Sequence, residues 1–280
     1  MDLVTTLKLF AGLALLLGGA ELLVRGASRL ALRLGMTPLV IGLTVVAFGT
    51  SAPELAIGVG AAWRGEPDIA LGNVVGSNIA NVLLILGLSA LVTPLVVQRQ
   101  LVRLDVPVML AVSLAVLAMA LDGSIGRFDG LLLVAAGVVY LVALLRLAKR
   151  GDDDLAAAAE ADVPDAATAR KAPWWRHALL VAGGLVLLVA GARWLVEGAV
   201  GIAQLMGLSE LVIGLTVVAV GTSLPEIATS LLAAIRGERD LAVGNIVGSN
   251  LFNLLFVLGA ASAIAPGGIA VSGAALNFDL

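Results

Sequence analysis

Two glutamates, Glu54 and Glu226, sit inside stretches that are otherwise apolar. A carboxylate at membrane depth costs about 2.5 kcal/mol or more, so each should face a partner or a wet cavity. Their neighbours carry oxygen. Thr50, Ser51 and Glu54 stand at i, i+1 and i+4, which places Thr50 and Glu54 one turn apart on a shared helix face. Pro53 lies between them, offers no N–H to the carbonyl of Gly49 and pushes that carbonyl away, so a kink or break is predicted there. The set recurs as Gly221, Thr222, Ser223, Pro225 and Glu226. Carboxylates, hydroxyls and freed carbonyls are hard ligands that suit Na⁺ and Ca²⁺ and suit soft metals poorly. A lone buried glutamate could be a hydrogen-bonded structural group; its recurrence in an equivalent setting favours a shared ion site.

Each glutamate segment is followed by a second one, GNVVGSNIAN (72–81) or GNIVGSNLFN (244–253). Ser77, Asn78 and Asn81, and again Ser249, Asn250 and Asn253, follow helical spacing. Their side-chain oxygens can ligate cations, and their amides can also hydrogen-bond across helices. Ser77 and Asn81, one turn apart, are the favoured ligand pair. Gly72, Gly76, Gly244 and Gly248 are expected to let helices pack closely.

The elements that must position these groups are membrane spans. The chain has 280 residues, 60% hydrophobic and 13% charged, with mean hydropathy +1.07; soluble domains carry about 25% charged residues. A spanning helix needs about 20 mainly apolar residues, and eight such segments are predicted at 4–24, 38–62, 69–93, 104–121, 128–147, 176–197, 209–235 and 241–264. The first lacks a basic leader and is taken as a retained span rather than a signal peptide. There is no cysteine, and His177, in a polar stretch, is the only histidine. Disulfides, thiolate chemistry and His-rich transition-metal sites are excluded by count. With no HExxH and no base near a serine, an enzyme is not indicated. The net charge of −3 names no nucleic-acid partner. No cofactor and no oligomeric state are assigned.

Shifting the sequence by 172 residues aligns 39–90 with 211–262 without a gap, and 32 of the 52 positions are identical. Five spans separate equivalent points, so the two copies cross the membrane in opposite senses. Inverted repeats of this kind place a transport site near the midplane where they meet. Thirteen Lys and Arg fall in the loops after spans 1, 3, 5 and 7, against three (Lys8, Arg64 and Arg127) on the other side. The basic side should be cytoplasmic and the N-terminus outside. The organisation expected is a first repeat at 1–150, a cytoplasmic linker at 151–175 and a second repeat at 176–280. The linker's Asp152, Asp153 and Asp154 lack the spacing and glycine of an EF-hand loop, and its composition reads as flexible. Glu21 and Arg25 form an i, i+4 pair on span 1; the aligned positions on span 6 are Arg193 and Glu197, the same pair with signs exchanged. Each is expected to neutralise itself near the membrane edge.

GLTVVAFGTSAPE followed by GNVVGSNIAN, both then duplicated, resembles the two alpha repeats of the sodium/calcium exchanger (cation/calcium antiporter) family, prokaryotic type. The resemblance implies an all-α integral membrane transporter of ten helices in two inverted groups of five, of which eight are present here. Span 4 begins near LDVPVML, whereas the second half stops at NFDL just where a ninth span should begin. A truncation is therefore expected, with incomplete packing in the second half's core. The resemblance further implies a central diamond of cation sites on spans 2, 3, 7 and 8, with spans 1 and 6 sliding to switch access. Its ligands would be Thr50, Ser51, Glu54, Ser77 and Asn81 with Thr222, Ser223, Glu226, Ser249 and Asn253, joined by the carbonyls of Ala47 and Ala219. Some members carry an acid at the position of Asn253; here both equivalents are Asn, leaving two carboxylates. The implied activity is antiport of Ca²⁺ against Na⁺ in a prokaryotic plasma membrane. Proton- or potassium-dependent exchange is the alternative within the fold, and a cation channel the alternative outside it.

Overall fold

A computed structural model describes residues 3–95, 97–148, 171–207 and 219–272. Nearly all of the linker expected at 151–175 and the start of the seventh predicted span, through residue 218, lie outside the described residues. Helix α1 runs Leu3–Leu34. It is followed by a bent pair, α2 (Pro38–Thr50) and α3 (Ala52–Arg64), and by α4 (Pro67–Val92), α5 (Leu101–Ala120) and α6 (Arg127–Ala148). The second part comprises α7 (Trp174–Leu205), the short α8 (Ala219–Thr222), α9 (Leu224–Ile235) and α10 (Arg239–Ile264). Among the described residues, six helices are long and apolar enough to cross a membrane, and the bent α2–α3 pair makes a seventh.

Helix α1 extends ten residues beyond the end predicted at 24, and α7 eight beyond 197. The basic residues read as loop continue the helix instead. Arg25 and Arg33 point outward while Ala27, Leu30 and Ala31 are buried, an amphipathic pattern that keeps the turn favourable beyond the apolar run. His177, placed by sequence in a polar stretch, is buried in the first turns of α7.

Helices α1 and α7 lie antiparallel along most of their length. Their seam is built on glycines seven residues apart: Gly12 faces Gly191 and Gly19 faces Gly184. A Cβ on Gly19 would stand 2.6 Å from the Leu188 nitrogen and 2.8 Å from the Gly184 oxygen, so only glycine lets these backbones touch. Gly12 and Gly184, like Gly19 and Gly191, are separated by the same 172 residues as the repeats.

Helix α10 occupies the centre, with Leu251, Leu254, Leu255 and Leu258 buried. Gly244 and Gly248 bring it against α2, as expected: a Cβ on either would meet Leu39 O or Leu43 Cα at 2.7 Å. The equivalent Gly72 and Gly76 have no described atom within 4 Å of that position; the residues aligned with their partners, 211–218, lie outside the described set.

The incomplete packing expected in the second half is not where the open face lies. Helices α5 and α6 pack on α10, covering the opposite repeat rather than the α4 of their own. The second half's central helix is thus enclosed. Helix α4, of the first half, instead keeps an apolar face open among the described residues, with Leu83 74% and Leu91 85% exposed. Among the described residues, Ser124–Ile125 and Ile269–Ala270 form a two-residue antiparallel ribbon beside the helices. It ties the α5–α6 turn to the chain after α10. Gly268 (φ 77°) makes the approach to Ile125 possible.

Candidate cation site

The predicted break occurs in both copies and with the same backbone. Ser51 (φ −85°, ψ 9°) separates α2 from α3, and Ser223 (φ −86°, ψ 3°) separates α8 from α9. Helices α2 and α3 are bent by 48°. Pro53 and Pro225 occupy the first turn of the second piece, where a missing N–H costs nothing. Glu54 and Glu226 fall in that same turn, at a helix N-terminus that favours negative charge. Helices α4 and α10 each widen to π-helical turns, Ala80–Ile85 and Asn253–Leu258, beginning at or beside the candidate asparagines. Such turns are frequent at functional sites.

The breaks converge. Ala47, Thr50, Ser51, Glu54, Ser77, Asn81, Ser223, Glu226, Ser249 and Asn253 are all buried, and Thr222 is half-buried. The Ser51 hydroxyl donates to Glu226 Oε1 across the repeats at 3.0 Å. Ser77 lies against the Glu54 carboxylate, and the two glutamates interact electrostatically with each other. Ala47 O accepts from Ser51 N at 3.0 Å and lies 3.4 Å from the Thr50 hydroxyl. Ala219 opens α8 as the counterpart of Ala47. No Lys or Arg pairs with Glu54 or Glu226 among the described residues.

Five buried oxygens of this group have no hydrogen-bond partner among the described residues: Glu54 Oε2, Glu226 Oε2, Asn81 Oδ1, Asn253 Oδ1 and Ser249 Oγ. A further buried carboxylate, Asp105 on α5, behaves differently. Its two oxygens accept from Tyr140 Oη at 2.9 Å and Gln100 Nε2 at 3.2 Å, which makes it a tie between α5 and α6.

The polar contacts that surround these oxygens were only partly visible in sequence. Asn78 and Asn250, grouped there with the oxygen donors, instead clasp each other's helix. Asn78 Nδ2 donates to Asn250 O at 3.3 Å and Asn250 Nδ2 to Asn78 O at 3.5 Å. Asn73 and Asn245 were not singled out, although the duplication preserves both. Asn73 Nδ2 donates to Glu54 O at 3.0 Å. Asn245 accepts from the Thr50 hydroxyl at 3.1 Å and donates to Ser230 Oγ at 2.9 Å. The difference traces to one aligned pair: Ser230 stands where the first copy has Gly58.

Two hollows that share lining residues reach the breaks. One, of about 850 Å³, runs from Lys8, Arg193 and Glu197 to Gly49 and Ala52. The other, of about 280 Å³, shares Arg193 and Glu197 and reaches Thr222 and Pro225. Both expected i, i+4 pairs form: Arg25 with Glu21 at 2.5 Å and Arg193 with Glu197 at 2.9 Å. Each also recruits a distant partner. Glu21 takes Arg236 from the end of α9 at 2.7 Å, and Glu197 takes Lys8 of α1 at 2.8 Å.

Comparison with known proteins agrees with this architecture. The family model described as sodium/calcium exchanger protein matches residues 4–146 and 176–280. The inner membrane protein YrbG of Escherichia coli is 40% identical over 271 residues, covering 95% of this chain and 82% of that protein. The sodium/calcium exchanger MaX1 of Methanosarcina acetivorans is 31% identical over 296 residues, covering 95% and 85%. The solved structure of the sodium/calcium exchanger from Methanococcus jannaschii superposes with a TM-score of 0.83 at 30% identity, covering 99% of this chain and 86% of that one. With a duplicated, broken-helix architecture and a family model matched along nearly its whole length, this chain is an integral membrane protein that belongs to the sodium/calcium exchanger family.

Proposed function

We propose that this chain exchanges Ca²⁺ for Na⁺ across a prokaryotic inner membrane by alternating access. The bound cations would be held by Thr50, Ser51, Glu54, Ser77 and Asn81 with Thr222, Ser223, Glu226, Ser249 and Asn253, and by the carbonyls of Ala47 and Ala219. The observation that carries this reading is the set of five unpaired buried oxygens. Buried polar atoms ordinarily find partners, and leaving them without one is costly. Carboxylate, amide and hydroxyl oxygens are the hard ligands that Ca²⁺ and Na⁺ take, so bound cations would supply the missing partners.

Two carboxylates balance one Ca²⁺ or two Na⁺. A loaded site is neutral and can be enclosed, whereas an empty one leaves two unpaired charges whose desolvation opposes closure. That difference gives coupled exchange rather than leak. The domain reading is a first repeat at 1–150, a cytoplasmic linker at 151–175 and a second repeat at 176–280. The charge bias puts the N-terminus outside, so the hollows at Lys8, Arg193 and Glu197 open outward. The close α1–α7 seam supports these helices moving together. The inner-membrane assignment draws on the name of the Escherichia coli relative.

The test is ⁴⁵Ca²⁺ uptake into Na⁺-loaded proteoliposomes. Uptake should require the outward Na⁺ gradient, saturate, carry no single-channel current and vanish in Glu54→Gln. Uptake driven by a pH gradient or by K⁺ alone would reassign the coupling ion.

A further inference from the structure

The contacts of Asn78 and Asn250 mark the local twofold relation between the repeats. They stand 172 residues apart and each reaches the other's backbone carbonyl. Each also holds one candidate ligand from the opposite repeat. Asn81 Nδ2 donates to Asn250 Oδ1 at 2.9 Å, and Asn253 Nδ2 donates to Asn78 Oδ1 at 3.1 Å. The consequence is the same on both sides. With its nitrogen engaged, each ligand amide leaves Oδ1 buried and without a partner. An amide free to rotate could present N–H groups to the ion; one whose nitrogen is tied presents only oxygen.

Building on the cation-site reading, we propose that Asn78 and Asn250 are positioning residues that fix Asn253 and Asn81, respectively, with their oxygens toward the bound cation. The clasp crosses the repeats, so each half orients a ligand of the other. A purely structural clasp would hold the helices together without regard to which ligand amide is present. A positioning clasp acts through one particular ligand.

Double-mutant cycles separate the two. The affinity of the purified full chain for ⁴⁵Ca²⁺ is measured by equilibrium dialysis, with the melting temperature of each variant recorded. Asn250→Ala should weaken binding by about five- to tenfold in the wild-type background, the size of one buried hydrogen bond. It should have less than about a twofold effect once Asn81→Ala is present, and keep its full effect alongside Asn253→Ala. Asn78→Ala should show the reverse dependence, silenced by Asn253→Ala and not by Asn81→Ala. If one variant does not fold, the symmetric pair carries the same test. Equal losses in both backgrounds would overturn the proposal. Glu54→Gln, run in parallel, distinguishes the failures. If it binds Ca²⁺ like wild type, the cation-site reading falls and this inference with it. If it abolishes binding while the cycles show no crossed dependence, only the positioning role falls.

Discussion

Replacing Asn245 with leucine should weaken Ca²⁺ binding even though Asn245 is not among the proposed ligands. The side chain is fully buried between Thr50 and Ser230, themselves fully buried. It accepts the Thr50 hydroxyl proton at 3.1 Å. With leucine there, the acceptors left to that hydroxyl are Ala47 O, at 3.4 Å, and the Glu226 carboxylate. Thr50 would turn toward groups that are themselves proposed ligands, and lose the orientation that leaves its lone pairs available. One hydrogen bond of about 1 kcal/mol predicts roughly a fivefold rise in the Ca²⁺ concentration for half-maximal uptake. Stability should fall by about 1–3 kcal/mol for a buried hydroxyl left short of a partner. Ser230 adds little, because a helical serine can bond back to the carbonyl four residues earlier. Two controls sharpen the test. Ser230→Ala keeps the Thr50 contact and should change apparent affinity by less than about twofold. Thr50→Val should make Asn245→Leu nearly silent. The assay is initial-rate ⁴⁵Ca²⁺ uptake against Ca²⁺ concentration, with thermal melting of the same preparations. Unchanged apparent affinity in Asn245→Leu, or an equal effect of Ser230→Ala, would refute the argument.

Three further outcomes follow from other parts of the molecule. Gly19→Ala puts a methyl group 2.6 Å from Leu188 N; the helices must part, at about 1–3 kcal/mol. Its melting temperature and turnover should fall while equilibrium Ca²⁺ affinity holds, and a wild-type melting curve would contradict the seam. Arg236→Gln removes the Arg236–Glu21 pair, which is partly exposed and worth up to about 1 kcal/mol. Turnover should change by less than about fivefold, and by less still at high choline chloride, since screening weakens the pair already. Ser51→Ala removes the donor to Glu226 Oε1, and should raise half-saturation for both Ca²⁺ and Na⁺ by about five- to tenfold, measured by uptake and by Na⁺ competition.

Sequence revealed most about the site where the chain is duplicated. The proline after each Thr-Ser pair foretold the breaks at Ser51 and Ser223, because a missing N–H acts locally whatever the tertiary context. Buried glutamates in two equivalent apolar settings foretold convergence. What depended on packing across repeats was less visible. The different acceptors of the Asn73 and Asn245 amide nitrogens turn on Gly58 against Ser230, a difference that means nothing until α9 and α10 are side by side. Asn78 and Asn250 share the spacing of ligands, and only their cross-repeat geometry separates clasp from donor. Hydropathy ended α1 at residue 24, since it counts Arg25 and Arg33 as loop without seeing that they share an exposed helix face. The glycine seam was present in the sequence at Gly12, Gly19, Gly184 and Gly191, but small residues carry no signal of their partner until two helices are paired.

The central claim is that Glu54 and Glu226 share one cation site at which Ca²⁺ and Na⁺ compete. The most direct measurement is equilibrium ⁴⁵Ca²⁺ binding to the purified chain, with Na⁺ titrated as competitor, for wild type, Glu54→Gln and Glu226→Gln. Saturable binding that Na⁺ displaces, and that either substitution abolishes, is the predicted result. Ca²⁺ binding that survives either substitution, or that Na⁺ does not displace, would contradict it.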